Sequence, residues 1–133
     1  MPWYRNKKYP GFSPEPFLMI NKLEYTNSHE LVYLDQTLLP LKEKFVKAKS
    51  YKDVVDAIVK LKIRGAPLIG IAAAYGVVIG AHNVKTENIK NFEIHFYKVI
   101  EALKNSRPTA KNLFYAVERT VKIFEENKEK EII

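Results

Sequence analysis

The chain has 133 residues, 47% of them hydrophobic and 28% charged, with a formal net charge of +7 and no cysteine. That is one domain's length, with enough apolar content to bury a core without covalent staples. The composition is not that of a disordered chain. Disulfides, thiolate metal sites and cysteine nucleophiles are excluded, and nothing hints at an oxidising compartment.

The positive balance does not read as nucleic-acid binding. Of the 22 basic residues 18 are Lys and 4 are Arg, and the lysines are scattered between acids. No recognition-helix pattern, RNA-binding aromatic signature or zinc spacing accompanies them. No apolar run of signal-peptide length follows Arg5, Lys7 and Lys8. A cytoplasmic protein with no membrane partner is expected.

In chain order, residues 1–16 read as an extended arm, because Pro2, Pro10, Pro14 and Pro16 forbid a regular helix. Its aromatics Trp3, Tyr4, Tyr9 and Phe12 need a surface to lie on. Residues 17–25 and 30–35 look like strands joined by the polar turn Thr26-Asn27-Ser28-His29, an antiparallel hairpin. Lys44 to Ala48 makes a third strand. The period then turns helical. Ser50 is a good N-cap, with Asp53 placed to return the contact. Tyr51, Val54, Val55, Ile58 and Leu61 form one apolar face. A second helix runs from Pro67 to about Ala81. Thr86 caps a third, with Ile89, Phe92, Phe96, Val99, Ile100 and Leu103 along it. A fourth carries Ala110, Leu113, Phe114, Val117, Val121 and Phe124. The expected organisation is an α+β fold: the arm at 1–16, an antiparallel β segment at 17–49 and a bundle of about four helices at 50–133.

The second helix has its own logic. It is apolar almost all round, as suits a buried helix, and at about 15 residues it is short of the ~20 needed to cross a bilayer. Gly70, Ala72, Ala73, Ala74, Gly76 and Gly80 let neighbours approach closely. Pro67 fits a first helical turn. That turn leaves unpaired N–H groups, Gly65 lets a ligand near the backbone, and Arg64 adds a permanently charged donor fork. Arg64, Gly65 and Ala66 therefore form a candidate anion site, for phosphate or carboxylate. The plainer alternative is a tight turn with a solvated arginine.

Arg107-Pro108 repeats the arrangement, an arginine ahead of a proline expected to open a helix. If both helix starts face one cleft, two guanidinium forks would hold one phosphate. Otherwise Arg107 merely covers a helix end. His29, His82 and His95 share no ligand spacing and read as surface or turn residues. Asp35 follows a strand and is either catalytic or, with Gln36 and Thr37, part of a turn. Tyr75 reads as a core residue. No P-loop, dinucleotide fingerprint, Ser-His-Asp order or acid–base pair is visible.

Three segments together carry a family resemblance. Leu34 to Pro40 (LDQTLLP), Arg64 to Gly76 (RGAPLIGIAAAYG) and Ser106 to Phe114 (SRPTAKNLF) resemble methylthioribose-1-phosphate isomerases, in order and spacing, and the likeness covers the chain from about Phe17 onward. That family shares a superfamily with ribose-1,5-bisphosphate isomerase and the regulatory subunits of initiation factor 2B.

The resemblance implies a small N-terminal domain of strands and helices, preceding a larger Rossmann-like domain that this chain lacks. It implies that Arg64, Gly65, Ala66 and Arg107 bind the phosphate of a sugar-phosphate substrate. It implies an aldose–ketose isomerisation of methylthioribose 1-phosphate without metal or organic cofactor. The family's catalytic cysteine and aspartate belong to the C-terminal domain, so no catalytic residue is expected here, and the chain alone should be close to inactive. A missing or separate catalytic domain and a homodimer are the implied partners. The alternative is a non-catalytic module, sensing a sugar phosphate or nucleotide or serving assembly, as in the initiation-factor-2B subunits.

Overall fold

Strand pairing begins the described part of the molecule. The structure, a computed structural model, describes residues 23–128. The expected arm, the first strand's residues 17–22 and the tail beyond Lys128 lie outside these.

Strands β1 (Leu23–Tyr25), β2 (Leu31–Leu34) and β3 (Phe45–Ala48) form an antiparallel sheet in that order. Leu23 faces Tyr33 and Tyr25 faces Leu31, while Leu31 in turn faces Ala48 and Leu34 faces Phe45. Because side chains alternate along a strand, Leu31 and Tyr33 share one face and are buried, whereas Val32 between them is only half-buried. The β1–β2 turn closes through the Thr26 N–H on the Glu30 carbonyl and the His29 N–H on the Thr26 carbonyl. A single 3-10 turn, Gln36–Leu38, follows β2.

Four helices complete the α+β fold: α1 (Tyr51–Val59), α2 (Ala66–His82), α3 (Ile89–Ser106) and α4 (Lys111–Asn127). Ser50 caps α1, its Oγ accepting from the Asp53 N–H; Asp53 Oδ2 accepts from the Lys49 N–H, one residue earlier than a standard capping box would have it. Asn88, not Thr86, caps α3: its Oδ1 accepts from the N–H groups of Lys90 and Asn91. Thr86 instead accepts from the Asn88 N–H and so shapes the residue that caps.

The glycines of α2 explain how the helices fit. A Cβ on Gly80 would lie 2.7 Å from Val99 Cγ2, and one on Gly76 would lie 3.0 Å from Leu103 Cδ2. On Gly70 it would lie 3.0 Å from the Asn112 carbonyl oxygen. These contacts also fix directions. Gly80 meets Val99 and Gly76 meets Leu103, so α2 and α3 are antiparallel. Phe124 stacks on Phe96 at 4.4 Å, and Lys104 pairs with Glu118 while Lys128 pairs with Glu93. So α3 and α4 are antiparallel too. It follows that α2 and α4 run the same way and begin at the same end of the molecule.

The core is one cluster, from Leu31, Tyr33 and Ala48 of the sheet through Val54 and Ile58 to Leu103, Leu113 and Val117. Helix α2 is central but not wholly enclosed. Ile71 is 45% and Val78 44% exposed, so one stripe of it faces outward. Among the described residues no helix is long and apolar enough to cross a membrane.

Candidate anion-binding site

Three loops lie at the end where α2 and α4 begin. The first joins α1 to α2. Its backbone follows a Schellman pattern: Leu61 adopts φ 62°, its N–H donates to the Ile58 carbonyl and the Lys62 N–H donates to the Ala57 carbonyl. The Ile63 N–H shares that Ala57 carbonyl, and the Ile63 side chain is buried. Gly65 then takes φ 95°, which a side chain would resist, and serves as the N-cap of α2. Its hydrogen atom in place of a side chain leaves the first-turn amides of Ala66 and Leu68 uncapped; Pro67 has none to offer. Arg64, Gly65 and Ala66 are all exposed, and Arg64 makes no ion pair among the described residues.

The second loop is the 3-10 turn after β2. Its Gln36 N–H donates to the Lys62 carbonyl at 2.9 Å, which ties it to the segment carrying Arg64. Asp35, 6% exposed, accepts from the Thr37 N–H at 2.9 Å and from the Thr37 hydroxyl at 2.6 Å. Between the two alternatives for Asp35, the observed contacts are those of a turn. Nearby, Tyr33 has a phenol pushed up to about 12, by burial first and then by the negative charges of Asp35, Asp56 and Asp53.

The third loop departs from expectation. Pro108 does not open a helix. Arg107, with φ −148° and ψ 79°, is the C-cap of α3, as a residue before proline is biased toward extended backbone. The Ala110 N–H closes a turn onto the Arg107 carbonyl, and α4 starts at Lys111 with Ala110 as N-cap and no side-chain cap. Arg107 is half-buried and without an ion pair among the described residues. At this position its charge also complements the negative end of α3.

The topology thus brings the two arginines to one end of the molecule, each beside a helix start whose amides no side chain caps. Both α2 and α4 offer unpaired N–H groups there. An open groove of about 510 Å³ runs between the two helices from this end, lined by Pro67, Gly70, Ile71, Tyr75, Asn112 and Tyr115. Tyr75, read as a core residue, is half-buried: it packs against the core, lines the groove and stacks on Tyr25 with ring centroids 4.8 Å apart.

Sequence spacing misses one cluster entirely. His29 and His82 stack at 3.7 Å, and the Tyr25 hydroxyl lies 3.0 Å from His29 Nδ1. The two histidines are 53 positions apart, and only the hairpin's packing on α2 joins them. Among the described residues, no three metal-ligating side chains converge.

This geometry defines a class: a small α+β domain with two arginines and two uncapped helix starts at one end. The model of the initiation factor 2 subunit family matches residues 62–132, more than half of the chain, and the chain belongs to that family. It is 49% identical over 104 residues to the methylthioribose-1-phosphate isomerase of Carboxydothermus hydrogenoformans, covering 78% of this chain and 30% of that protein. The crystal structure of 5-methylthioribose 1-phosphate isomerase from Pyrococcus horikoshii superposes with a TM-score of 0.79 at 39% identity, covering 83% of this chain and 31% of that one. Translation initiation factor eIF-2B, subunit delta, from A. fulgidus gives 0.73 at 31% identity, covering 80% and 31%. The chain spans under a third of the length of these proteins.

Proposed function

We propose that this domain binds the phosphate of methylthioribose 1-phosphate for an aldose–ketose isomerase that makes methylthioribulose 1-phosphate. The observation that carries the proposal is Arg64-Gly65-Ala66 at an uncapped helix start, in a chain nearly half identical to an isomerase of that substrate. Phosphate is doubly charged near neutral pH and matches backbone amides plus planar guanidinium forks. Arg64, Gly65 and Ala66 hold it from α2 and Arg107 from the α3–α4 turn.

The phosphate on C1 keeps the sugar ring closed, so the enzyme must open it and move a hydrogen from C2 to C1. That chemistry belongs to the part of the relatives this chain does not span, and the domain's share is to hold and orient. General acid–base groups contribute roughly 10²–10⁴-fold, so the domain alone should turn over little substrate. A cytoplasmic setting and a homodimer complete the proposal. The likeness to the A. fulgidus subunit supports a second reading, a non-catalytic sugar-phosphate or nucleotide module.

Calorimetric titration with methylthioribose 1-phosphate tests the proposal. Wild-type binding should fall roughly 10–100-fold in Arg64→Ala and in Arg107→Ala, the worth of a charge-assisted hydrogen bond. Equal affinity in both variants and wild type would remove the phosphate site. Preference for a nucleotide over the sugar phosphate would favour the second reading.

A further inference from the structure

Among the described residues only two polar or charged side chains are buried, Asp35 and Ser106. Ser106 donates to the Leu103 carbonyl of its own helix and is accounted for. Asp35 accepts both Thr37 donors at one oxygen, yet a carboxyl group is costly to bury, and it makes no ion pair among the described residues. Its position gives the reason. We infer that Asp35 is a positioning residue for the anion site, acting on Arg64 through Gln36 and Lys62; the inference rests on the phosphate reading above.

The chain of contacts is short. Asp35 Oδ1 takes both Thr37 donors and so sets the 3-10 turn, while the Asp35 N–H is held by the Lys44 carbonyl at 2.9 Å. With the turn set, the Gln36 N–H meets the Lys62 carbonyl. The opposite face of the Lys62 residue is already taken, its N–H by the Ala57 carbonyl. Lys62 is therefore gripped from both sides, by α1 and by the turn. Ile63 is anchored by its own N–H and its buried side chain. Arg64 comes next, with its Cα placed before any ligand arrives and only its side chain left to search. Ordering a site in advance lowers the entropy lost on binding, which shows as affinity. Without the carboxyl group the turn loses its two bonds at once, and the Gln36 N–H loses its aim.

The test uses the chain as it exists and compares Asp35→Ala, Asp35→Asn and Thr37→Val. Affinity for inorganic phosphate and methylthioribose 1-phosphate is measured well below each melting point, with amide proton–nitrogen correlation spectra alongside. Asn keeps an oxygen able to accept both Thr37 donors, so Asp35→Asn should bind within about two-fold of wild type. Thr37→Val loses only the hydroxyl bond and should weaken binding about two- to five-fold. Asp35→Ala should weaken it about ten-fold and shift the amide signals of Arg64 and Gly65. A lower melting temperature with unchanged affinity and unmoved Arg64 and Gly65 signals would overturn the inference. So would an Asp35→Asn loss as large as that of alanine, because charge would then matter and not the turn. If Asp35→Ala does not fold, the graded pair Asp35→Asn and Thr37→Val decides alone. If wild type binds no phosphate, the phosphate reading fails, and the Arg64 and Gly65 signals alone decide whether the brace exists.

Discussion

The two ends of the helical layer are built from the same parts and treat them differently. At one end α1 and α3 begin, and both are capped by side chains, Ser50 and Asn88. At the other α2 and α4 begin, and neither is. Charge does not separate the ends. The capped end has a cavity of about 630 Å³ edged by Lys52, Lys85, Lys98 and His95, and those lysines make no ion pairs among the described residues. What differs is the supply of fixed donors. Flexible ammonium groups surround backbone that is already satisfied at one end; planar guanidinium groups sit beside unsatisfied amides at the other. Cation count would treat the ends alike, whereas hydrogen-bond accounting tells them apart.

The largest effect expected is the one that would break the comparison. Lys98→Ala at the capped end should leave phosphate affinity unchanged in the titration that loses 10–100-fold in the arginine variants. A loss at Lys98 as large as at Arg64 would make the site a matter of general charge.

Next comes alkaline pH. Tyr33 keeps its proton in the folded state up to about 12, against an ordinary value of 10.0. Above pH 10 the unfolded chain gives up this proton and the folded one does not, so stability falls as pH rises from 10 to about 12. The slope is at most about 1.4 kcal/mol per pH unit for one proton. Chemical unfolding across that range should show the fall in wild type and lose that component in Tyr33→Phe.

Gly80→Ala follows. Alanine favours a helix by up to about 1 kcal/mol over glycine, but the new methyl would stand 2.7 Å from the stiff, buried Val99. Overpacking of this kind costs about 1–3 kcal/mol, so net destabilisation should appear in denaturant unfolding. A gain would mean that the α2–α3 seam is looser than its contacts suggest.

The smallest effects sharpen the contrast most directly. Ser50→Ala should cost about 1 kcal/mol and leave anion affinity alone. Ala110→Ser supplies the missing cap to α4, so it should add a few tenths to about 1 kcal/mol while weakening phosphate binding. If Ala110→Ser stabilised the domain and left affinity intact, the α4 amides would not belong to the site.

Much of this was legible in the chain. Val54, Val55 and Ile58 give the face of α1, and the alternation through Leu31 and Tyr33 gives β2, because each pattern follows from one element's own geometry. The Arg64-Gly65-Ala66-Pro67 junction was legible too, since glycine and proline announce backbone that few other residues tolerate. Pro108 misled, because proline suits both a helix start and the residue after a helix end. The two residues between it and Lys111 belong to a turn that no local periodicity marks. The shared direction of α2 and α4 could not be read at all. It is a property of packing, set by what stands against Gly76 and Gly80 on one seam and by Phe96 against Phe124 on the other. Likewise the glycines announced close approach without naming Val99, Leu103 or Asn112 as what approaches. Nothing within five residues of His29 points to His82.

The alternating helix directions carry one more consequence. The anion end receives two helix starts, α2 and α4, but also two helix finishes, α1 and α3. Seen from a distance, the partial charges of starts and finishes oppose one another, so the bundle projects little net dipole toward solvent. An approaching phosphate is thus not drawn in by the helices. On the proposed phosphate reading, it must shed water and touch the Ala66 and Leu68 amides before they count. Long-range attraction is left to the protein's overall positive charge, which added salt screens, whereas contact with desolvated amides is screened much less. Capture speed and bound lifetime should therefore respond to ionic strength separately, the first steeply and the second hardly.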